Sequence, residues 1–293
     1  MLKSFVVNLK RPLQSLVRPV LSLLVPFVCL VAADSGRAAN IMWVTDDIAS
    51  DQTMVNYVSS LGYNVNVRND LTGTLSPADL NDLNSVALVI VSRNTSSGNY
   101  GAAQSQWNTQ VSTPLILGSP YLARTGGNNG WSWIDGGGVQ ANYNGDVRIN
   151  PGFEADPLFG GVTITGTGFG GQPIFKYWNG DRLDIAEGTS TAGPDGDILG
   201  VRNNATFPRT IIAQFNAGDE VGGGDILAGD RLFLALPGTP GNPGTFADLN
   251  QNGQILLANA IGLMIPEPGR AVLAALGLFA LLAPRRRPGC FRS

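Results

Sequence analysis

Carboxylates dominate the polar chemistry open to this chain. Asp46 and Asp47 directly follow the apolar run Ile41-Met42-Trp43-Val44-Thr45, which puts them at the carboxyl end of an expected strand, where open α/β sheets bind ligands. An adjacent acid pair there offers proton transfer or ligand and cation binding; the competing reading has the two aspartates capping the helix that follows. Asp135, Glu154 and Asp156 supply further carboxylates from which an acid pair for polysaccharide hydrolysis can be drawn. Tyr121, Trp131, Trp133 and Tyr143 lie among glycines and asparagines, a composition able to stack sugar rings and bond their hydroxyls. The same rings turned inward would instead pin a long loop that has little core of its own.

Other chemistries are excluded by composition. The chain has no histidine, and its two cysteines are Cys29 and Cys290, near the two ends. Between those ends, Ser-His-Asp and Cys-His triads and zinc sites built on His or Cys have no side chains to use. No cofactor is expected, with calcium as the single metal to consider. Asp248, Asn250 and Asn252, followed by Gly253, have the oxygen-ligand spacing of the first half of an EF-hand loop. The twelfth position is Asn259 in place of a bidentate Glu, and a turn capping the last helix explains the same residues.

The ends carry targeting features. Lys3, Lys10, Arg11 and Arg18 precede the apolar run Val20–Ala33, and small residues follow at Ala38 and Ala39. Residues 1–39 therefore read as a signal peptide, implying the Sec machinery and signal peptidase as partners; the run is short for a spanning helix and Pro26 interrupts it. At the other end, Ile265-Pro266-Glu267-Pro268-Gly269 leads into the apolar segment 271–283 and then Arg285, Arg286 and Arg287. Thirteen residues make about 20 Å of helix, short for a bilayer core. The arginines favour the cytoplasmic side, which leaves Pro266, Glu267 and Pro268 with the exported part. This ordered tail, residues 265–293, resembles the PEP-CTERM sorting signal. The resemblance implies an exosortase partner, transient anchoring in the inner membrane, cleavage near Pro266-Glu267-Pro268, and a final place on the cell surface or in the extracellular, biofilm-associated matrix. A plain tail anchor is the competing reading.

The residues that could do chemistry need a scaffold, and the pattern between the ends predicts an α/β domain over 40–264. A helix over 50–61 closes at Gly62; Tyr63, Val65 and Val67 alternate as a second strand; Ser76-Pro77 opens a short helix; and Val86–Val91 is a continuous apolar strand. A helix over 101–110 and a strand over 114–117 continue the alternation, which indicates a mostly parallel open sheet flanked by helices. Residues 119–230 are expected to form a Gly/Asn-rich β elaboration, with short β-like runs at 163–165, 173–177 and 211–215. Arg231–Leu236 and an apolar helix over 255–264 close the domain. Arg231-Leu232-Phe233-Leu234-Ala235-Leu236-Pro237-Gly238, Phe246-Ala247-Asp248 and Ala155-Asp156-Pro157-Leu158-Phe159-Gly160 make the domain resemble the ThuA-like branch of the class I glutamine-amidotransferase-like, flavodoxin-like fold. The turn equivalent to that family's nucleophile is Leu117-Gly118-Ser119-Pro120, where Ser119 has no histidine to activate it. The aspartate pair also resembles the acidic corner of response-regulator receivers. A receiver, however, needs a phosphoacceptor after its third strand, where this chain has Ser92-Arg93-Asn94.

Charge narrows the partners. Residues 40–265 carry nine basic and twenty acidic side chains, a net of −11, and an acidic surface without basic–aromatic interleaving is a poor match for nucleic acid. The expectation is an exported surface or matrix protein with a non-catalytic domain that binds an extracellular ligand such as polysaccharide. The competing class is a carboxylate-dependent polysaccharide hydrolase.

Overall fold

The computed structural model describes residues 38–125, 129–180, 183–186, 194–205, 209–238 and 244–265. The expected signal peptide short of Ala38, the motif Pro266, Glu267 and Pro268, the apolar segment 271–283 and Arg285, Arg286 and Arg287 lie outside these residues. Ala39–Pro266 forms one compact unit.

Strand β1 (Asn40–Val44) buries Ile41, Met42, Trp43 and Val44 on both faces, the pattern of a strand covered on two sides. Helix α1 (Ile48–Ser60) follows, capped by Asp47 and burying Met54, Val55 and Val58 one turn apart. The chain reverses at Gly62, whose φ of +97° suits glycine. β2 (Asn64–Arg68) pairs in parallel with β1. Helix α2 (Pro77–Asn84) starts with a reciprocal capping box between Ser76 and Asp79 and a proline in its first turn. β3 (Leu88–Val91) is wholly buried between β1 and β4 (Leu115–Leu117), parallel to both. The helix expected over 101–110 is broken into a one-turn helix Ser97–Tyr100, a 3-10 turn and α3 (Gln104–Thr109).

The glycine-rich stretch adds β5 (Val139–Tyr143), β6 (Val147–Ile149), β7 (Gly166–Thr167), β8 (Pro173–Phe175), β9 (Leu183–Ala186), β10 (Asp197–Arg202) and β11 (Thr210–Phe215). β12 (Arg231–Leu234) returns beside β4, and α4 (Gln251–Met264) closes the unit. The large sheet runs β2-β1-β3-β4-β12-β11-β10-β6-β8-β7, while β5 and β9 form a separate antiparallel ribbon. The expectation of a mostly parallel sheet is corrected here. Among the described residues only β2, β1, β3, β4 and β12 run parallel, and every later neighbour is antiparallel. The elaboration extends the sheet because its short strands pair their backbone groups at the free edge of β12.

Register fixes the two edges of the sheet. Met42, Val89, Leu115 and Arg231 lie abreast near the starts of their strands. The last residues of α4, Leu263 and Met264, line a cavity of about 250 Å³ with Asp230 and Leu232 at the start of β12. Asn40 opens β1, so both ends of the compact unit leave at this amino edge. Strand ends Val44, Val91 and Leu117 stand at the opposite, carboxyl edge. β10, two antiparallel steps from β12, runs the same way and ends there at Arg202.

The core is unusually aromatic. All five tryptophans are buried, and Trp107 stacks on Trp131, which meets Trp133, which meets Phe215, at ring separations of 4.9, 5.8 and 5.9 Å. Arg231 is fully buried. Its guanidinium donates to the carbonyls of Trp107, Val111 and Thr113 and so closes the carboxyl end of α3. Burial pushes its pKa down to about 10, so it remains charged at neutral pH.

Candidate functional site

The carboxyl edge of the parallel strands gathers the polar groups. Asp46, after β1, accepts from the Ser96 amide (2.6 Å) and from Asn99 Nδ2 (3.1 Å). Its own amide donates to Asn94 O, so Asp46 fastens the loop after β3 to the end of β1. Asp47 turns the other way. It accepts from the Ser50 amide (3.0 Å) and the Ser50 hydroxyl (2.7 Å) as the N-cap of α1, and the Ser50 hydroxyl and amide hold its carboxyl below the ordinary value. Of the two readings of the aspartate pair, the geometry shows capping for Asp47 and loop fastening for Asp46.

A third carboxylate, missed from sequence, lies beneath them. Asp51 is fully buried, accepting from Trp43 Nε1 (2.8 Å) and Asn94 Nδ2 (2.6 Å). Burial raises its pKa, against the lowering effect of hydrogen bonds from Ser92, Thr45, Trp43 and Asn94. Asn94 also exchanges two hydrogen bonds with the Gly244 backbone, at 2.8 and 2.9 Å, tying β1, β3 and the segment before α4 together. A signal for Asp51 was present in the sequence: it shares the apolar stripe of α1 with Met54, Val55 and Val58, where a carboxylate needs buried donors.

Beside this network, Arg93 and Asp184 form a buried ion pair at 2.6 Å. Arg93 Nε donates to Gly238 O (3.2 Å), and Asp184 Oδ1 accepts from the Asn142 amide (3.1 Å). The guanidinium lies 5.0 Å from the centre of the Tyr121 ring, with Arg124 at 5.5 Å. Burial and the Asp184 charge push the Tyr121 hydroxyl up. Ser119, at the turn after β4, is fully buried, and its hydroxyl has no hydrogen-bond partner among the described residues. Gly118 before it is required by close approach, since a Cβ would stand 2.7 Å from Leu236 Cδ1 and 3.0 Å from the Arg93 amide.

The remaining sequence-predicted residues lie elsewhere. Trp131 and Trp133 are corrected as sugar-stacking residues: both are fully buried, and their indole N–H groups donate to Tyr100 O (3.2 Å) and Asn108 Oδ1 (2.8 Å). A ring enclosed on both faces has no surface left for a ligand. Glu154 and Asp156 belong to the loop after β6, which descends to the amino edge, where Asp156 lines the small cavity beside Asp230. Glu154 accepts from the Gly152 amide and Asp156 from the Leu158 amide, each at 2.8 Å. They therefore do not join Asp46 and Asp47 in one cleft. Asp135 is exposed.

Asp248, Asn250 and Asn252, the residues of the calcium reading, take part in hydrogen bonds within the protein. Asp248 accepts from the Thr245 amide and hydroxyl. Asn250 Oδ1 caps α4 through the Gly253 amide (3.1 Å), and Asn252 Oδ1 accepts from the Thr163 amide (2.8 Å). Gly253 is helical, inside α4, and does not make the sharp turn of a calcium loop. Among the described residues no group of three or more acidic side chains is placed to hold a metal. No protein-family model matches this chain, and no curated protein matches it in sequence.

Proposed function

We propose that this chain is an exported protein, sorted through its C-terminal tail to the cell surface or extracellular matrix, whose domain binds an extracellular ligand without transforming it. One observation carries the binding half. Four acidic groups around the ends of β1 and β3 are engaged in holding loops and helix starts: Asp46 on Ser96 and Asn99, Asp47 on Ser50, Asp51 on Trp43 and Asn94, and Asp184 on Arg93 and Asn142. Among the described residues, Ser119 has neither an exposed hydroxyl nor a hydrogen-bonded proton acceptor, whereas a nucleophile needs both. This supports a rigid binding surface over the carboxylate-dependent hydrolase.

The strand order β2-β1-β3-β4-β12 is consistent with a flavodoxin-like doubly wound sheet. It supports the ThuA-like, amidotransferase-like resemblance for this half of the domain. Fold alone carries no activity. The sorting half rests on the sequence order of signal peptide, Pro266-Glu267-Pro268, apolar segment and arginines, with an exosortase as the processing partner. Mass spectrometry of the C-terminal peptide of protein recovered from the cell surface tests it. The expected terminus falls near Pro266–Pro268, and surface protein that still contains Arg285–Arg287 overturns the processing.

A further inference from the structure

The turn joining β5 to β6 passes through Asn144-Gly145 and faces the end of β10 across an open groove of about 470 Å³, a size typical of small-ligand sites. The end of β5 and this turn line it with Gln140, Asn142, Asn144 and Asp146, and β10 and the residue after it supply Arg202 and Asn203. The groove opens at the carboxyl edge. Through the Asn142 amide and Asp184 it is joined to Arg93 and the end of β3.

The walls are held in place while the polar groups stay available. Arg202 and Arg209 both donate to Gln140 Oε1, at 2.9 and 2.8 Å, which fixes the amide with its NH2 directed away from them. Arg202 lies over the Tyr143 ring at 5.5 Å, and the Tyr143 hydroxyl donates to Asp146 O at 2.7 Å. Asn142 has a φ of +55°, within the break in β5–β9 register between Gln140 and Tyr143. Strain of this kind in a side-chain-bearing residue gathers at ligand sites. The side-chain amides of Asn142 and Asn144 and the carboxylate of Asp146 have no hydrogen bond or ion pair among the described residues. Asn203 uses Oδ1 on the Phe169 amide (3.0 Å) and keeps its NH2 free.

Side-chain amides each present a donor beside an acceptor, and a carboxylate accepts from two hydroxyls. That array matches the adjacent hydroxyls of a sugar ring. The net charge of −11 over residues 40–265 opposes a polyanion. Tyr143 is itself buried, so recognition rests on hydroxyl contacts and not on ring stacking. We infer that this groove binds the hydroxyl face of a neutral polysaccharide. The inference rests on the binding reading above and names its site and ligand class.

Affinity electrophoresis of the full chain in mild detergent tests it, with gels cast with neutral polymers (a β-glucan, a mannan, a dextran) and acidic ones (alginate, polygalacturonate). Retardation is expected in at least one neutral gel. Asn142→Ala with Asn144→Ala should weaken it by about tenfold or more, as expected for two lost hydrogen-bonding groups, and Asp146→Asn, which keeps the side-chain shape, should weaken it without altering the melting temperature. Retardation confined to the acidic gels overturns the ligand class. Retardation unchanged in both variants overturns the groove and leaves the binding reading standing. No retardation in any gel overturns both.

Discussion

At the scale of single residues, the buried carboxylate Asp51 gives the domain's stability a pH dependence. Its pKa is raised by burial, so the folded state holds its proton more tightly than the unfolded chain. Its contribution to stability is therefore fullest below the ordinary carboxylate value and declines as pH rises through the raised one. Asp47, held low by Ser50, contributes in the opposite sense: its stabilisation is present above the ordinary carboxylate value and is lost as pH falls through its folded value. Asp51→Asn is expected to flatten the decline on the rising side. It should also destabilise by about 1–3 kcal/mol, because one amide oxygen replaces two acceptors and the new NH2 meets the donors Trp43 Nε1 or Asn94 Nδ2. Thermal midpoints followed against pH for both proteins check this; an unchanged slope in the variant rules it out. The positions of Asp46 and Asp47 after β1 were legible in the sequence, since the apolar run before them ends there. The roles of Trp131 and Trp133 were not, because a tryptophan among glycines is equally consistent with an inward or an outward ring until its partners, here Trp107 and Phe215, are known.

At the scale of elements, α4 shows how a motif misleads when its packing is unknown. Gly253 fits a calcium loop by spacing, yet a Cβ at this position would stand 2.2 Å from Tyr177 O; the glycine lets α4 approach the chain after β8. Gly262, two turns on, is exposed, and a Cβ there would meet nothing within 4 Å. Gly253→Ala is expected to destabilise by roughly 1–3 kcal/mol as the helix is pushed off. Gly262→Ala should stabilise by about 0.5–1 kcal/mol through helix propensity. Denaturant titration of the two variants decides, and equal effects would remove the packing account. The parallel strands and their helices were legible because continuous apolar runs, Ser76-Pro77 and Gly62 mark them locally. β6, β10 and the β5–β9 ribbon were not, since three- to six-residue strands in a glycine-rich stretch acquire their identity from partners distant in sequence, as Gly200 does from Ile149.

For the molecule as a whole, stability is expected to need neither a disulfide nor a metal. The described unit contains no cysteine, and the oxygens of Asp248, Asn250 and Asn252 are engaged by backbone amides. Melting should therefore be indifferent to millimolar calcium and to chelator; a calcium-dependent rise in the midpoint would restore the loop as a metal site. The placement of both ends of the compact unit at the amino edge, with the groove at the carboxyl edge, has a mechanical consequence. A polymer gripped in the groove and pulled against a hold on either end of this unit loads the sheet along its strand axes. The ladder bonds of neighbouring strands, lying across that direction, then carry the force side by side, whereas a pull across the sheet would open them one at a time.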